Sequence, residues 1–330
     1  FMVYGPDVTT KINEMSFLDH RGLIVDNLNS DFTYTKKNIH LKNLDLKTNE
    51  SDLIGDVELR YKREDFSDFN NKVLFDVKID KASVSTNELN LFYGEFGKNQ
   101  RFDLKGKILG TLNDFTAKKL RLRDKNNSVI VGNFRFKNLF SKEKDAFYMK
   151  GDFSKISSTY DNLDALLPRV LGDNLPSTFK KFGTFTISGT TEVTLKTVKA
   201  NIILKTALGN AQSNLSMTNI NNIDNATYVG NIKFDNFDLG KFLTRDDIGV
   251  VNLDLDVDGK GFTEKYLDTK LKGKVQSVYY NKYNYKNIVV DGTMIKSVFK
   301  GNITANDPNL VMEFDGNLDL SKRENKYDFH

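Results

Sequence analysis

Asp254, Asp256, Asp258 and Gly259 stand at the head of the segment DLDVDGKGFTEK (254–265). Their spacing opens a calcium loop, in which alternate carboxylates and a glycine turn wrap a hard cation. Such a loop needs a glutamate in its last place, but Lys265 stands there and Glu264 comes one residue early. Leu253, Leu255 and Val257 alternate with the aspartates. The segment therefore reads as a strand with carboxylates on its wet side. AKKLRLRDK (117–125) is built alike, with Leu120 and Leu122 inward and Arg121 and Arg123 outward. A solvated face is the plain reading, and weak attraction to anionic lipid or to another protein is the minor one.

Other chemistry finds little support. The three histidines, His20, His40 and His330, have no metal-ligand spacing with one another. Cysteine is absent, which excludes disulfides, zinc–thiolate sites and thiol catalysis. There is no G-x-S-x-G elbow, phosphate loop or H-E-x-x-H motif. The reading is of a non-enzyme with no catalytic residue, no metal and no cofactor. The 48 basic and 44 acidic residues nearly cancel, which argues against a dedicated nucleic-acid binder. No apolar run is long enough for a membrane-spanning helix. The chain starts at Phe1 without a signal segment and is read as a piece of a longer protein, with any anchor outside it.

The elements are strands. Val73, Phe75, Val77 and Ile79 alternate, as do Leu53, Gly55, Val57 and Leu59, and Asn- and Asp-rich turns separate such runs. A signature of apolar, any, Gly, any, apolar recurs nine times, for example Leu104-Gly106-Ile108, Ile130-Gly132-Phe134, Tyr228-Gly230-Ile232 and Phe314-Gly316-Leu318. Each glycine lies on the apolar side. Two readings stay open: bulges scattered through ordinary sheets, or glycines that let one long sheet bend around its apolar face. GNFRFKNL (132–139) and GNIKFDNF (230–237) echo each other, a sign of internal repetition.

Three stretches break the alternation. In 157–183, Leu163, Leu166, Leu167, Val170 and Leu171 have helical spacing. Thr159 or Asp161 suits the start and Gly172 the end, and Pro168 kinks the helix or shifts its start. A second short helix is expected from Pro176 to Lys181, with one or two helical turns in 88–97 and in 238–244. The organisation is then a β segment 1–157, a helical insert 158–183 and a β segment 184–330 continuing the same sheet. About 24 strands are expected, more than a flat open sheet usually holds. The fold class is all-β, a long curved sheet folded into an open hydrophobic groove with a few short helices, extending over about 115 Å at the usual strand spacing.

KNLDLKTNESDLIGDVELRYKR (42–63), DLKGKILGTLNDFTAKKLRLR (103–123), STYDNLDALLPRVLG with LPSTFKKFGTFTISG (158–189) and DVDGKGFTEKYLDTKLKGKV (256–275) resemble the AsmA-like family, in particular its TamB-like chains of Gram-negative bacteria. The similarity covers essentially the whole chain, through the succession of segments and no single motif. It implies a β-taco fold in the periplasm, tied to the inner membrane by an N-terminal anchor outside this sequence. It also implies docking on an Omp85-class (TamA-like) outer-membrane barrel and passage of phospholipid between the membranes. The expected partners are phospholipid acyl chains and that barrel, with no nucleic acid. The residues expected to line the lipid path are Leu104, Ile108, Ile130, Phe134, Phe136, Tyr228, Ile232, Phe234, Leu271, Val275, Phe299, Ile303, Leu310, Met312, Phe314, Leu318 and Leu320. The competing readings are an assembly factor for outer-membrane proteins that presents sheet edges to client strands, and a structural spacer whose interior its own side chains fill.

Overall fold

The computed structural model describes residues 2–4, 7–92, 94, 96–139, 147–166, 177–222, 224–263, 265–319 and 326–329. The chain is all-β and antiparallel. It divides into two compact units, Phe1–Leu175 and Pro176–His330. The first unit holds β1 (Met2–Tyr4), β2 (Asp7–Leu18), β3 (Ile24–Tyr34), β4 (Asn38–Thr48), β5 (Asp52–Arg60), β6 (Leu74–Ser85), β7 (Arg101–Gly110), β8 (Asp114–Asp124), β9 (Val129–Lys137) and β10 (Tyr148–Ser158). The second holds β11 (Phe185–Thr194), β12 (Thr197–Thr206), β13 (Gly209–Thr218), β14 (Thr227–Asp238), β15 (Ile248–Lys260), β16 (Asp268–Tyr280), β17 (Tyr283–Ile295), β18 (Val298–Asp307), β19 (Leu310–Asp319) and β20 (Lys326–Phe329).

Within each unit every strand pairs with the next along the chain, so each unit is an open meander and not a barrel. The expectation of about 24 strands is too high for the twenty found among the described residues. Most strands run nine to thirteen residues, and long connections such as those after β5 and β6 use up the rest.

The short helices sit at strand ends. Helix α2 (Thr86–Leu89) falls just before and within 88–97, and α4 (Leu239–Leu243) falls within 238–244, as their sequences suggest. Ser85 caps α2 by accepting from the Asn87 N–H, and Asp238 caps α4 by accepting from the Lys241 N–H. Helix α3 (Tyr160–Leu166) carries the beginning of the expected long helix. Its continuation through Leu167, Pro168, Val170, Leu171 and Gly172 lies outside the described residues. The second short helix is a 3₁₀ turn, Ser177–Phe182. A 3₁₀ turn at Arg63–Asp68 running into α1 (Phe69–Lys72) has no counterpart in the sequence reading. It brings together an aromatic cluster: Tyr61, Phe66, Phe69 and Phe75 lie ring to ring, and Val73, which follows α1, is fully buried. In the second unit Phe182, Phe242, Phe237 and Phe234 form the matching cluster, packing the 3₁₀ turn and α4 onto the end of β14.

Six strand segments break strict alternation in one common way. They read INEM (12–15), LKNL (41–44), AKKL (117–120), FKNL (136–139), FDNF (234–237) and YKNI (285–288). The third residue of each, Glu14, Asn43, Lys119, Asn138, Asn236 or Asn287, has a left-handed backbone with φ between 48° and 55°. Four of the six lie at a register shift within a described ladder, between Ile12 and Met15, Leu41 and Leu44, Ala117 and Leu120, and Phe234 and Phe237. An extra residue would normally turn every following side chain to the wrong face. The left-handed residue absorbs it, so the next apolar residue returns to the dry side. Four of the six are asparagine, which tolerates this conformation better than most residues.

The neighbouring strand clamps these bulges. The N–H of Glu14 donates to Asn29 Oδ1 at 2.9 Å, that of Asn43 to Asp56 Oδ1 at 2.9 Å, that of Lys119 to Asn133 Oδ1 at 2.8 Å and that of Asn236 to Asn252 Oδ1 at 2.8 Å. At β17 the clamp is Asp307, which accepts from the Tyr283 hydroxyl at 2.6 Å and from the Lys286 N–H at 2.9 Å. The Tyr283 hydroxyl and the backbone donors hold its carboxyl below the usual carboxylate range.

The repeated glycines do two jobs. Gly55 and Gly106 sit at register shifts, whereas Gly230 and Gly273 lie in unbroken ladders. At Gly230 φ is +147°, and an added Cβ would fall 1.9 Å from the Asn214 carbonyl oxygen. At Gly151, by contrast, an added Cβ would meet only the rings of Phe134 and Phe153 at 3.2 Å. That glycine makes room for an aromatic side chain from across the ladder.

Two outcomes follow for chemical denaturation. Gly230→Ala should lose about 2 kcal/mol or more, from backbone strain plus the carbonyl clash, while Gly151→Ala loses under about 1 kcal/mol. Asn236→Gly should leave stability within about 0.5 kcal/mol, whereas Asn236→Val, β-branched in a left-handed position, should lose about 1–3 kcal/mol. Equal losses within either pair would contradict this account.

Candidate functional site: the apolar face

Register aligns the inward residues of successive strands into rows that cross each unit. In the first unit one row runs Phe32, Leu41, Val57, Val77, Ile108, Ala117, Phe134, Gly151. The next row in one direction contains Phe75, Gly110, Phe115, Phe136 and Met149, and a row on the other side contains Ala82, Leu104, Leu122, Ile130 and Ile156. Phe134 stacks on Phe136 at 6.1 Å and on Phe153 at 6.2 Å.

The second unit repeats the arrangement. Leu204, Ala211, Phe234, Leu253, Val275, Ile288, Ala305 and Met312 form one row. Ile202, Ser213, Ile232, Leu255, Gly273, Val290, Ile303 and Phe314 form the next. Beyond it Leu215, Gly230, Val257, Leu271, Gly292, Gly301 and Gly316 make a row of mostly small residues. The last row holds Met217, Tyr228, Thr269, Met294, Phe299 and Leu318.

The expected lining residues thus fall on the inward face of their own unit. Leu310 lies on that face at the start of β19, opposite Asp307, and Leu320 lies outside the described residues. Phe134, Tyr228 and Phe299 are buried, and the other described members of the set are half-buried. That intermediate exposure decides how the face is covered. A side chain under a second protein layer would be almost fully buried, whereas these are screened only by neighbours on the same sheet.

Polar groups on this face are few and satisfied. The buried Tyr228 hydroxyl is hydrogen-bonded to the Thr269 hydroxyl and donates to the Gly261 carbonyl at 3.3 Å. Burial pushes its phenol above the ordinary range, so it stays neutral. Members of the face that the sequence reading left out include Phe32, Met149, Ile156, Ile202, Leu204, Leu215 and Met217. Their signal was the same alternation, diluted in β12 and β13 by threonine, serine and asparagine.

The opposite face is charged and self-complementary in the second unit. Asp254, Asp256 and Asp258 lie on β15 across from Lys274, Lys272 and Lys270 on β16. The apparent calcium loop is one half of this charge ladder. Asn231 donates to Asp254 and Asp256 at 2.9 and 3.0 Å, and Lys272 pairs with Asp291 at 2.7 Å. A shallow depression over β13–β17 is lined in part by Asn231, Asp256, Asp258, Lys270, Lys272 and Asp291. No group of three potential metal ligands occurs among the described residues.

Reversing Asp256 to Lys should lower stability by about 0.5–1 kcal/mol, because it sets like charges directly opposite Lys272. Added calcium should leave the Tm unchanged. A calcium-dependent rise in Tm that Asp256→Lys abolishes would restore the loop reading. No protein-family model, no curated protein and no solved structure matches the chain.

Proposed function

We propose that the apolar faces of the two units hold lipid acyl chains, and that the protein is a non-enzymatic carrier of phospholipid between the inner and outer membranes. The observation that carries this reading is the set of inward rows, apolar from strand to strand, in which most side chains are half-buried and part-exposed. Apolar surface left in water is unfavourable, and each methylene that an acyl chain buries there contributes about 0.8 kcal/mol. Rows without convergent polar groups fix no single lipid position, which favours movement along the face over tight capture. The resemblance to TamB-like chains supports the periplasm as the compartment and an Omp85-class barrel as the docking partner.

A second reading, an assembly factor that accepts client strands, draws on one feature. Beyond Thr9, β2 is paired only with β3 among the described residues, and its exposed stretch carries Met15, Phe17 and Leu18. An open edge of this kind can template a further strand.

Photo-crosslinkers at Phe134, Ile232 and Phe314 should capture phospholipid, while crosslinkers at Lys233 and Asn302 on the opposite face should not. Aspartate at any of the three inward positions should reduce lipid capture at the other sites in its unit. Capture from the outward positions alone would sink the lipid reading. Crosslinking of client protein along β2, with lipid capture absent from the inward sites, would favour the assembly role.

A further inference from the structure

The outward face of the first unit departs from the charge logic of the second. On β15 and β16 every aspartate faces a lysine. Across β6, β7 and β8 like charges face each other directly: Lys78 lies opposite Lys107, Lys107 opposite Lys118, and Lys105 opposite Arg121. Directly opposed like charges destabilise a sheet. Only part of this charge is neutralised. Lys107 pairs with Asp76 at 2.9 Å and Lys78 with Asp80 at 2.9 Å. Lys105, Lys118, Lys119 and Arg121 are exposed and have no carboxylate partner among the described residues. Lys119 adds to the array from a left-handed bulge position, where asparagine serves in β4 and β14.

We propose that this patch is a docking surface for an anionic lipid bilayer. The choice of partner rests on the form of the patch. The cations form a two-dimensional array over three interior strands, each hydrogen-bonded on both sides. No backbone edge is free there to hold an extended acidic peptide. No aromatic side chain stands on the outward face of these strands to stack the bases of a nucleic acid. Five of the six cations are lysines, compact charges on flexible stems, without the paired geometry that selects one phosphate. Delocalised positive charge on a broad surface matches the delocalised negative charge of an anionic membrane. The inference does not rest on the lipid-carrier reading, because it concerns the opposite face of the sheet.

The test is flotation of the chain with vesicles of phosphatidylcholine alone or mixed with phosphatidylglycerol. The chain should float with the anionic vesicles, and salt should weaken the association. The triple variant Lys105→Gln, Lys118→Gln, Arg121→Gln should lower partition by roughly 100-fold, at about fivefold per charge. It should also melt no lower than the parent, because it relieves repulsion. The variant Lys270→Gln, Lys272→Gln, Lys274→Gln controls for net charge and should float with the anionic vesicles far better than the patch variant. Equal loss in the two variants, flotation that ignores anionic lipid, or no loss in the patch variant would overturn the proposal. So would failure to float combined with patch-dependent binding of polyglutamate, which would assign the surface to an acidic polypeptide. Aspartate at Phe134 should leave flotation intact, so failure of the carrier reading stays distinguishable.

Discussion

The whole architecture depends on keeping one side of every strand dry. In a sheet the side chains alternate with a period of two, so a slip of one residue exchanges the faces completely. An open meander has no second layer to correct such a slip. Each unit must therefore carry its face assignment from strand to strand by register alone. The clamped bulges are where this constraint is most visible. Phe234 and Phe237 are three residues apart and still share the dry side, because Asn236 takes a left-handed backbone whose N–H is held by Asn252.

The same constraint explains where burial is concentrated. Much of each face is half-buried, with buried side chains set into it at Leu44, Ile79, Phe134 and Val257, and aromatic clusters gather at strand ends near Phe75 and Phe237. Short helical turns supply the extra aromatic rings at those ends. These rings cover the apolar face where the ladder stops. Within the face, Ile232, Ile303 and Phe314 stay part-exposed.

The two outward faces diverge in electrostatics despite their common backbone pattern. On β15 and β16 opposite charges meet across the ladder and help specify the register. On β7 and β8 lysines and an arginine meet instead, and register there must be held by the apolar rows.

Much of this was legible in the sequence. Alternation alone identified the strands, their dry and wet sides, and the residues of the apolar face, because a period of two is written directly into residue order. It also exposed the false calcium loop, since Leu255 and Val257 already placed Asp254, Asp256 and Asp258 on one outward side. The echo between GNFRFKNL and GNIKFDNF was visible as repetition, but its meaning was not. That Asn236 is a clamped left-handed bulge residue, whereas Asn138 is left-handed just past the end of β9, depends on the strand beside them. The turn and short helix at 63–72 were hidden for the same reason, as their phenylalanines have no helical period and gain their place from Tyr61 and Phe75. The opposition of Lys105 to Arg121 and of Asp256 to Lys272 likewise required the fold. Residue order sets which face a side chain takes; only pairing between strands decides which side chain it faces.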